Sequence, residues 1–397
     1  MIIPSHPHLG QLTYCTNIHK GETWPEVFAA LRQNIPAIRA ATVGDAPLGI
    51  GLRLSAAAAE DLKSLSALAE LQDFLAAQNA YVFTINGFPF GEFHGVRVKE
   101  QVYSPDWADP ARLAYSDTLA DILAALLPEG MDGSISTVPG TFAAWAEGRV
   151  PEIVGNLVAH TAYLIALRQR TGRMIRLALE PEPRCFLETI EEAVDFFTNH
   201  LYGDSAVQQL AALSGLDAAE AARALREHLG LCYDVCHAAI EYEDPRGSIA
   251  LLRENNVPVY KLQLSSALRI ASVDANTPAL LSPFNEPTYL HQVVGRRGDK
   301  LDKWDDLGPA LADIEVAIGS EWRVHFHVPL FLAEMENFGT TQAFLREILA
   351  LHWETPISEH LEVETYTWDV LPEQYRGVPV STAIARELNW VVTELTS

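Results

Sequence analysis

Positive charge is scarce in this chain: 28 Lys and Arg stand against 52 Asp and Glu over 397 residues, a formal net charge of −24. No Lys/Arg run offsets this, and so acidic a surface repels a phosphate backbone, so nucleic acid is not expected as a partner. Long apolar runs are missing too. No stretch reaches about 18 uncharged apolar residues, and the opening MIIPSHPHLGQ has neither a charged n-region nor a long apolar segment. Membrane insertion is therefore not expected, and the chain reads as cytoplasmic. Four cysteines, two of them in CYDVC, are too few for a disulfide framework and read as reduced, buried thiols. A Gly-rich phosphate-binding turn after the first strand-like run is also absent, which argues against an open doubly wound sheet.

What is present is a rhythm. Hydrophobic residues make up 48% of the chain and charged ones 20%, enough for one large domain with insertions. Eight β-like runs recur: LTYCTN (12–17), LGIGLRLS (48–55), AYVFTING (80–87), DGSISTVPG (132–140), IRLALEPEP (175–183), LGLCYDVCH (229–237), VPVYKLQLSS (257–266) and HLEVETYTW (360–368). Stretches with apolar residues at i, i+3, i+4 and i+7, such as WPEVFAALRQNIPAIRAA and TIEEAVDFFTNHL, separate them. Eight βα units predict a parallel sheet closed into a (β/α)8 TIM barrel, a single domain over 1–397. TYLHQVV (288–294) and WRVHFHVPLF (322–331) do not fit the count of eight. They predict a β-ribbon within an insertion of about 267–340, between the seventh and eighth strands.

In such a barrel the site is built where strands end. The polar residues there are Asn17 and His19, Arg53, Asn86, Thr137, then Glu180, Glu182 and Arg184, Asp234 and His237, Gln263 and Arg269, and Glu362 and Glu364. Each alone reads equally as a cap or a solvated residue. Several acids among Leu, Val and Ala are another matter, because burying them without a cation costs several kcal/mol each. A divalent cation is the natural compensation. His325 and His327 lie two apart in a strand-like run and so face the same way. They read as ligands, or else as core histidines satisfied by carbonyls.

LEPEPR, YDVCH, QLSSALR and VETYTW resemble the strand-end signatures of the xylose isomerase-like TIM-barrel superfamily, the sugar phosphate isomerases and epimerases with their endonuclease IV relatives. In the ketose 3-epimerase branch the resemblance implies Glu180 and Glu364 as metal ligands and acid/base pair, Asp234 as a ligand, and Arg184 and Arg269 as substrate-binding. That branch keeps a His where this chain has Gln263. An amide oxygen is a harder and weaker ligand than imidazole, so Mg²⁺ or Mn²⁺ in an oxygen-rich site gains over Zn²⁺ there. The endonuclease IV resemblance implies that His237, His325 and His327 converge on a metal, a three-nitrogen set suited to Zn²⁺. LTYCTNIHKGETW, FHGVRVKEQVYSPDW, YDVCHAAIEYED, HFHVPLF and EVETYTWDVLP are similar to the EboE family of metabolite-traffic proteins, which implies a part in making or exporting a secondary metabolite.

Three functions follow. One is a metal-dependent isomerase or epimerase of a small polyol, sugar or cyclitol. Asn86 and His291, with Phe88, Phe90 and Trp107, would then line its substrate pocket. The second is a non-catalytic metabolite carrier that keeps the metal. The third is a metal-dependent phosphoesterase or other hydrolase. A small molecule is the expected partner in each, and a homodimer is left open.

Overall fold

Each of the eight β-like runs forms a strand of one parallel sheet. The computed structural model describes residues 1–3 and 5–396. In chain order the barrel strands are β1 (Gln11–Tyr14), β2 (Leu48–Arg53), β3 (Ala80–Asn86), β4 (Gly133–Thr137), β5 (Ile175–Leu179), β6 (Leu229–Asp234) and β7 (Val259–Leu264), with an eighth at His360–Val363. Every residue of β2 and β6 is buried, as expected of strands covered on both faces. The eighth strand lies between β1 and β7, and the order continues β6, β5, β4, β3, β2. Closure between β1 and β2 is light: a parallel bridge joins Cys15 to Gly51, Thr13 Oγ1 donates to Gly49 O at 2.8 Å, and Arg53 N donates to Thr16 Oγ1 at 2.8 Å. The expected barrel is present, with its helices packed outside.

The inserted element is larger than a ribbon. It is a six-stranded antiparallel sheet built from β8 (Ala267–Ile270), β9 (Val293–Arg297), β10 (Lys300–Trp304), β11 (Glu321–His327), β12 (Glu334–Met335) and β13 (Phe338–Thr340), leaving β14 (His360–Val363) as the last barrel strand. Its order is β10-β9-β11-β8-β13-β12, so the strand carrying both histidines is interior, paired with β9 and β8. Only the end of TYLHQVV is strand; 288–292 is loop. The sheet starts two residues after β7, which is why it overhangs the carboxyl ends of the barrel strands. One helix, Val150–Thr171, is long and apolar enough by length and composition to cross a membrane. Ile153, Leu157, Leu164 and Leu167 on it are buried in the hydrophobic core.

Candidate metal centre

Three imidazoles meet above the barrel. His237 Nε2 is 3.1 Å from His325 Nε2, which is 3.3 Å from His327 Nε2. Their other nitrogens fix the tautomers. His237 Nδ1 lies 2.9 Å from Pro181 O, His327 Nδ1 2.9 Å from Glu364 O, and His325 Nδ1 2.6 Å from the side-chain oxygen of Gln292. A carbonyl oxygen can only accept, so each Nδ1 carries the hydrogen and each Nε2 presents a lone pair. Burial lowers the pKa of His327 to about 4 and that of His325 well below its ordinary value, with His237 adding to the second shift. With each Nδ1–H turned outward, the three Nε2 atoms aim at one another at hydrogen-bond distance. A cation resolves that arrangement, and backbone and amide acceptors behind ligating histidines are what orients them in metal sites.

The carboxylates make the same demand from the barrel side. Glu180 follows β5, Asp234 ends β6 and Glu364 follows β14; one oxygen of each lies within 4.8 Å of the others. All three are at most 4% exposed. Burial first, then Glu364, Asp234 and Glu182, hold the Glu180 carboxyl well above its ordinary pKa, and burial followed by Asp234 and Glu362 does the same to Glu364. Asp234 is different. Burial works to raise it, but His237, His327, the Ser265 hydroxyl and the His237 amide outweigh that and hold it low. Its Oδ1 caps the helix Val235–Ile240 through His237 N at 3.1 Å and accepts from Ser265 Oγ at 2.6 Å. Oδ2 is left without a partner, as are Glu180 Oε2 and Glu182 Oε2. Asp234 also groups with His237 and His327, and Glu182 with His237 and His325, so Asp234 joins the carboxylate and histidine sets. Unpartnered buried carboxylate oxygens beside inward lone pairs fit a divalent cation.

Not every residue singled out in the sequence is brought here. Gln263, expected as a ligand, is fully buried in β7; its Oε1 accepts from Cys232 Sγ at 2.9 Å, and its amide nitrogen is the unpartnered atom. Arg184 and Arg269, expected on substrate, turn away to Asp305 and to Glu321, the latter at 2.7 Å. His291 does not reach the cleft: Nδ1 is 2.7 Å from His325 O and Nε2 3.0 Å from Glu286 Oε1. Trp107 is packing, its Nε1 on Thr137 Oγ1 at 3.0 Å, and Phe90 stacks edge-on to Tyr115 outside the cleft. Asn86 does arrive. Its Nδ2 and that of Asn17 donate to Glu364 Oε1 at 2.9 and 2.8 Å. Glu362 sits one layer deeper, paired with Lys261 Nζ at 2.6 Å, both wholly buried. Gln292 and Tyr366, the latter 4.6 Å ring to ring from His327, carry no signal in the sequence that marks them for the site.

No protein-family model and no curated protein matches the sequence. Several solved structures are similar in outline. The probable 3-DHS dehydratase AsbF from Bacillus anthracis is 13% identical with a TM-score of 0.44, the match covering 96% of this chain and 97% of that one. The IolI protein, in a structure holding a zinc atom, is 14% identical at a TM-score of 0.46, covering 98% and 99%. A D-tagatose 3-epimerase-like protein is 11% identical at 0.47, covering 98% and 100%. These are likenesses of outline, and the chemistry below comes from this chain's own side chains.

Proposed function

We propose that the chain is a divalent-metal-dependent isomerase or epimerase acting on a small molecule with adjacent carbonyl and hydroxyl oxygens. The observation that carries the reading is the pair Glu180 and Glu364, set just after β5 and β14 with β6 and β7 between those strands, both buried beside Asp234. Glu180, Asp234 and Glu364 would hold a divalent ion, with His237, His325 and His327 as nitrogen donors beside them, and bound metal would supply the polarisation that acidifies the C–H between those oxygens. Glu180 has no donor on Oε2 and serves as the group that takes that proton. Glu364, steadied by the amides of Asn17 and Asn86, returns a proton on the opposite face or the neighbouring carbon. Tyr366 and Phe93, 5.4 Å apart between ring centres, shield this exchange from water. The motif resemblance to the EboE family supports a place for this reaction in making or handling an exported metabolite.

The three inward imidazole nitrogens favour hydrolysis as a second reading. Solvent-deuterium exchange separates the two. An isomerase exchanges the substrate's C–H in heavy water, and Glu180→Gln lowers that rate by about 10²–10⁴-fold. Cleavage that depends on the histidines as strongly as on the carboxylates, without exchange, overturns the isomerase in favour of a hydrolase. Binding without either reaction leaves a carrier.

A further inference from the structure

The cleft over the carboxylates has an acidic floor and hydrocarbon walls. About 510 Å³ of space lies between its walls, counting the open solvent at its mouth. The walls are Phe88, Phe93, Val98, Val102, Tyr289 and Leu290. Their rings support one another: Phe93 and Tyr289 are 5.0 Å apart, and Tyr289 and Tyr366 also 5.0 Å. Tyr103 and Lys99, higher in the cleft, are already engaged within the protein. Tyr103 OH accepts from Gln292 Nε2 at 2.9 Å, and Lys99 Nζ donates to Asp306 Oδ2 at 2.8 Å and Glu286 O at 3.2 Å. Lys99 is the sole Lys or Arg among the described residues lining the cleft. Among the described lining residues, the buried polar atoms without a partner are Asn17 Oδ1, Glu180 Oε2 and Glu182 Oε2, all beside the carboxylates at the floor.

A sugar or polyol would press hydroxyls against Phe88, Phe93, Val98, Val102 and Leu290, which offer them no partner, and a phosphate on the wall side would find Lys99 already bound to Asp306 and Glu286 O. A flat apolar body covers the same walls without either penalty. We propose that the substrate is a small molecule without phosphate whose flat, apolar, aryl-like body lies against these walls while its carbonyl and hydroxyl oxygens face the floor. This rests on the isomerase reading for the role of the oxygens. It departs from the polyol, sugar or cyclitol that the sequence suggests.

Three α-ketols sharing a –CO–CH2OH head group test it: hydroxyacetone, L-erythrulose and 2-hydroxyacetophenone (phenacyl alcohol), titrated calorimetrically into the full chain loaded with Mn²⁺. The aryl ketol is expected to bind tighter than either of the others by roughly tenfold or more. Phe93→Ser, with Val102→Ser as the milder second variant, should bring the ratio towards one without changing Mn²⁺ content. L-Erythrulose binding as tightly as the aryl ketol, or no binding by any of the three, overturns the proposal. Repeating the titration on the metal-free chain reads the walls alone, so a failure to take up Mn²⁺ sinks the metal reading without hiding the aryl preference. Deuterium exchange is scored separately. Aryl preference without exchange keeps the substrate class and removes the isomerase, whereas exchange confined to L-erythrulose keeps the reaction and overturns the class.

Discussion

One amide decides which nitrogen of His325 is free. Gln292 accepts from His325 Nδ1 while its own nitrogen donates to Tyr103, Glu182 and Pro183 O, so its orientation is fixed from both ends. Gln292→Leu should weaken Zn²⁺ binding by about 10–100-fold with circular dichroism unchanged, because the ring loses the acceptor that sets its tautomer. Competition against a chromophoric chelator measures this, and equal affinity in the variant would show that Gln292 does not position the ligand. The histidine pair was legible because two residues along a strand bring side chains to one face. Gln292 was not. Beside it His291 is the conspicuous residue, yet both ring nitrogens of His291 are taken by Glu286 and His325 O. Arg184 and Arg269 read as anion-binding by type and place, but type does not show direction. Arg184 sits at φ +66° and its guanidinium goes to Asp305.

Among the elements, β2 carries the closure of the barrel. A Cβ on Gly51 would run into Glu362 Oε2 and lie 2.8 Å from Tyr14 O, at the bridge to Cys15. Gly51→Ala is expected to lower unfolding free energy by roughly 1–3 kcal/mol in urea titration, while Gly91→Ala, with open space around it, stays within about 0.5 kcal/mol. Equal effects would mean that the contact at Gly51 is soft. All eight barrel strands were legible because each is an apolar run bounded by turn residues and followed by a helical period. The inserted sheet was legible through β11, its longest strand at 7 residues, and through the end of TYLHQVV, which begins β9. β8 follows β7 after two residues and reads as its continuation, and β12 and β13 have 2 and 3 residues, too short for a period to show.

For the molecule as a whole, buried acids outside the site set the dependence of stability on pH. Burial raises the carboxyl of Glu387 to about 7; it accepts from the Thr365 hydroxyl at 2.8 Å and Leu330 N at 3.1 Å, tying the C-terminal helix to the loops after Glu364 and His327. Glu243 stands at about 7 and Glu241 at about 8, each chiefly through burial. A folded pKa above the unfolded one means that the native state holds more protons between the two values. Stability from Glu387 is thus complete below about pH 4.5 and is lost as pH rises through about 7, by roughly 3 kcal/mol in all. In EDTA, Glu387→Gln should remove about that much of the parent's stability loss between pH 5 and pH 8; an unchanged difference would place the titration elsewhere.

The claim on which the functional reading stands is that the inward histidine nitrogens and the unpartnered carboxylate oxygens hold divalent metal. Elemental analysis of protein purified without chelator tests it most directly, repeated for Glu180→Gln, Glu364→Gln, His237→Ala and His327→Ala with folding checked by circular dichroism. The account predicts at least one divalent ion per chain, with the carboxylate variants losing ion from the Glu180–Asp234–Glu364 group and the histidine variants from the group of His237, Asp234 and His327. A metal-free parent that takes up no added Zn²⁺, Mn²⁺ or Mg²⁺, or four folded variants that keep the parent's full metal content, would contradict it.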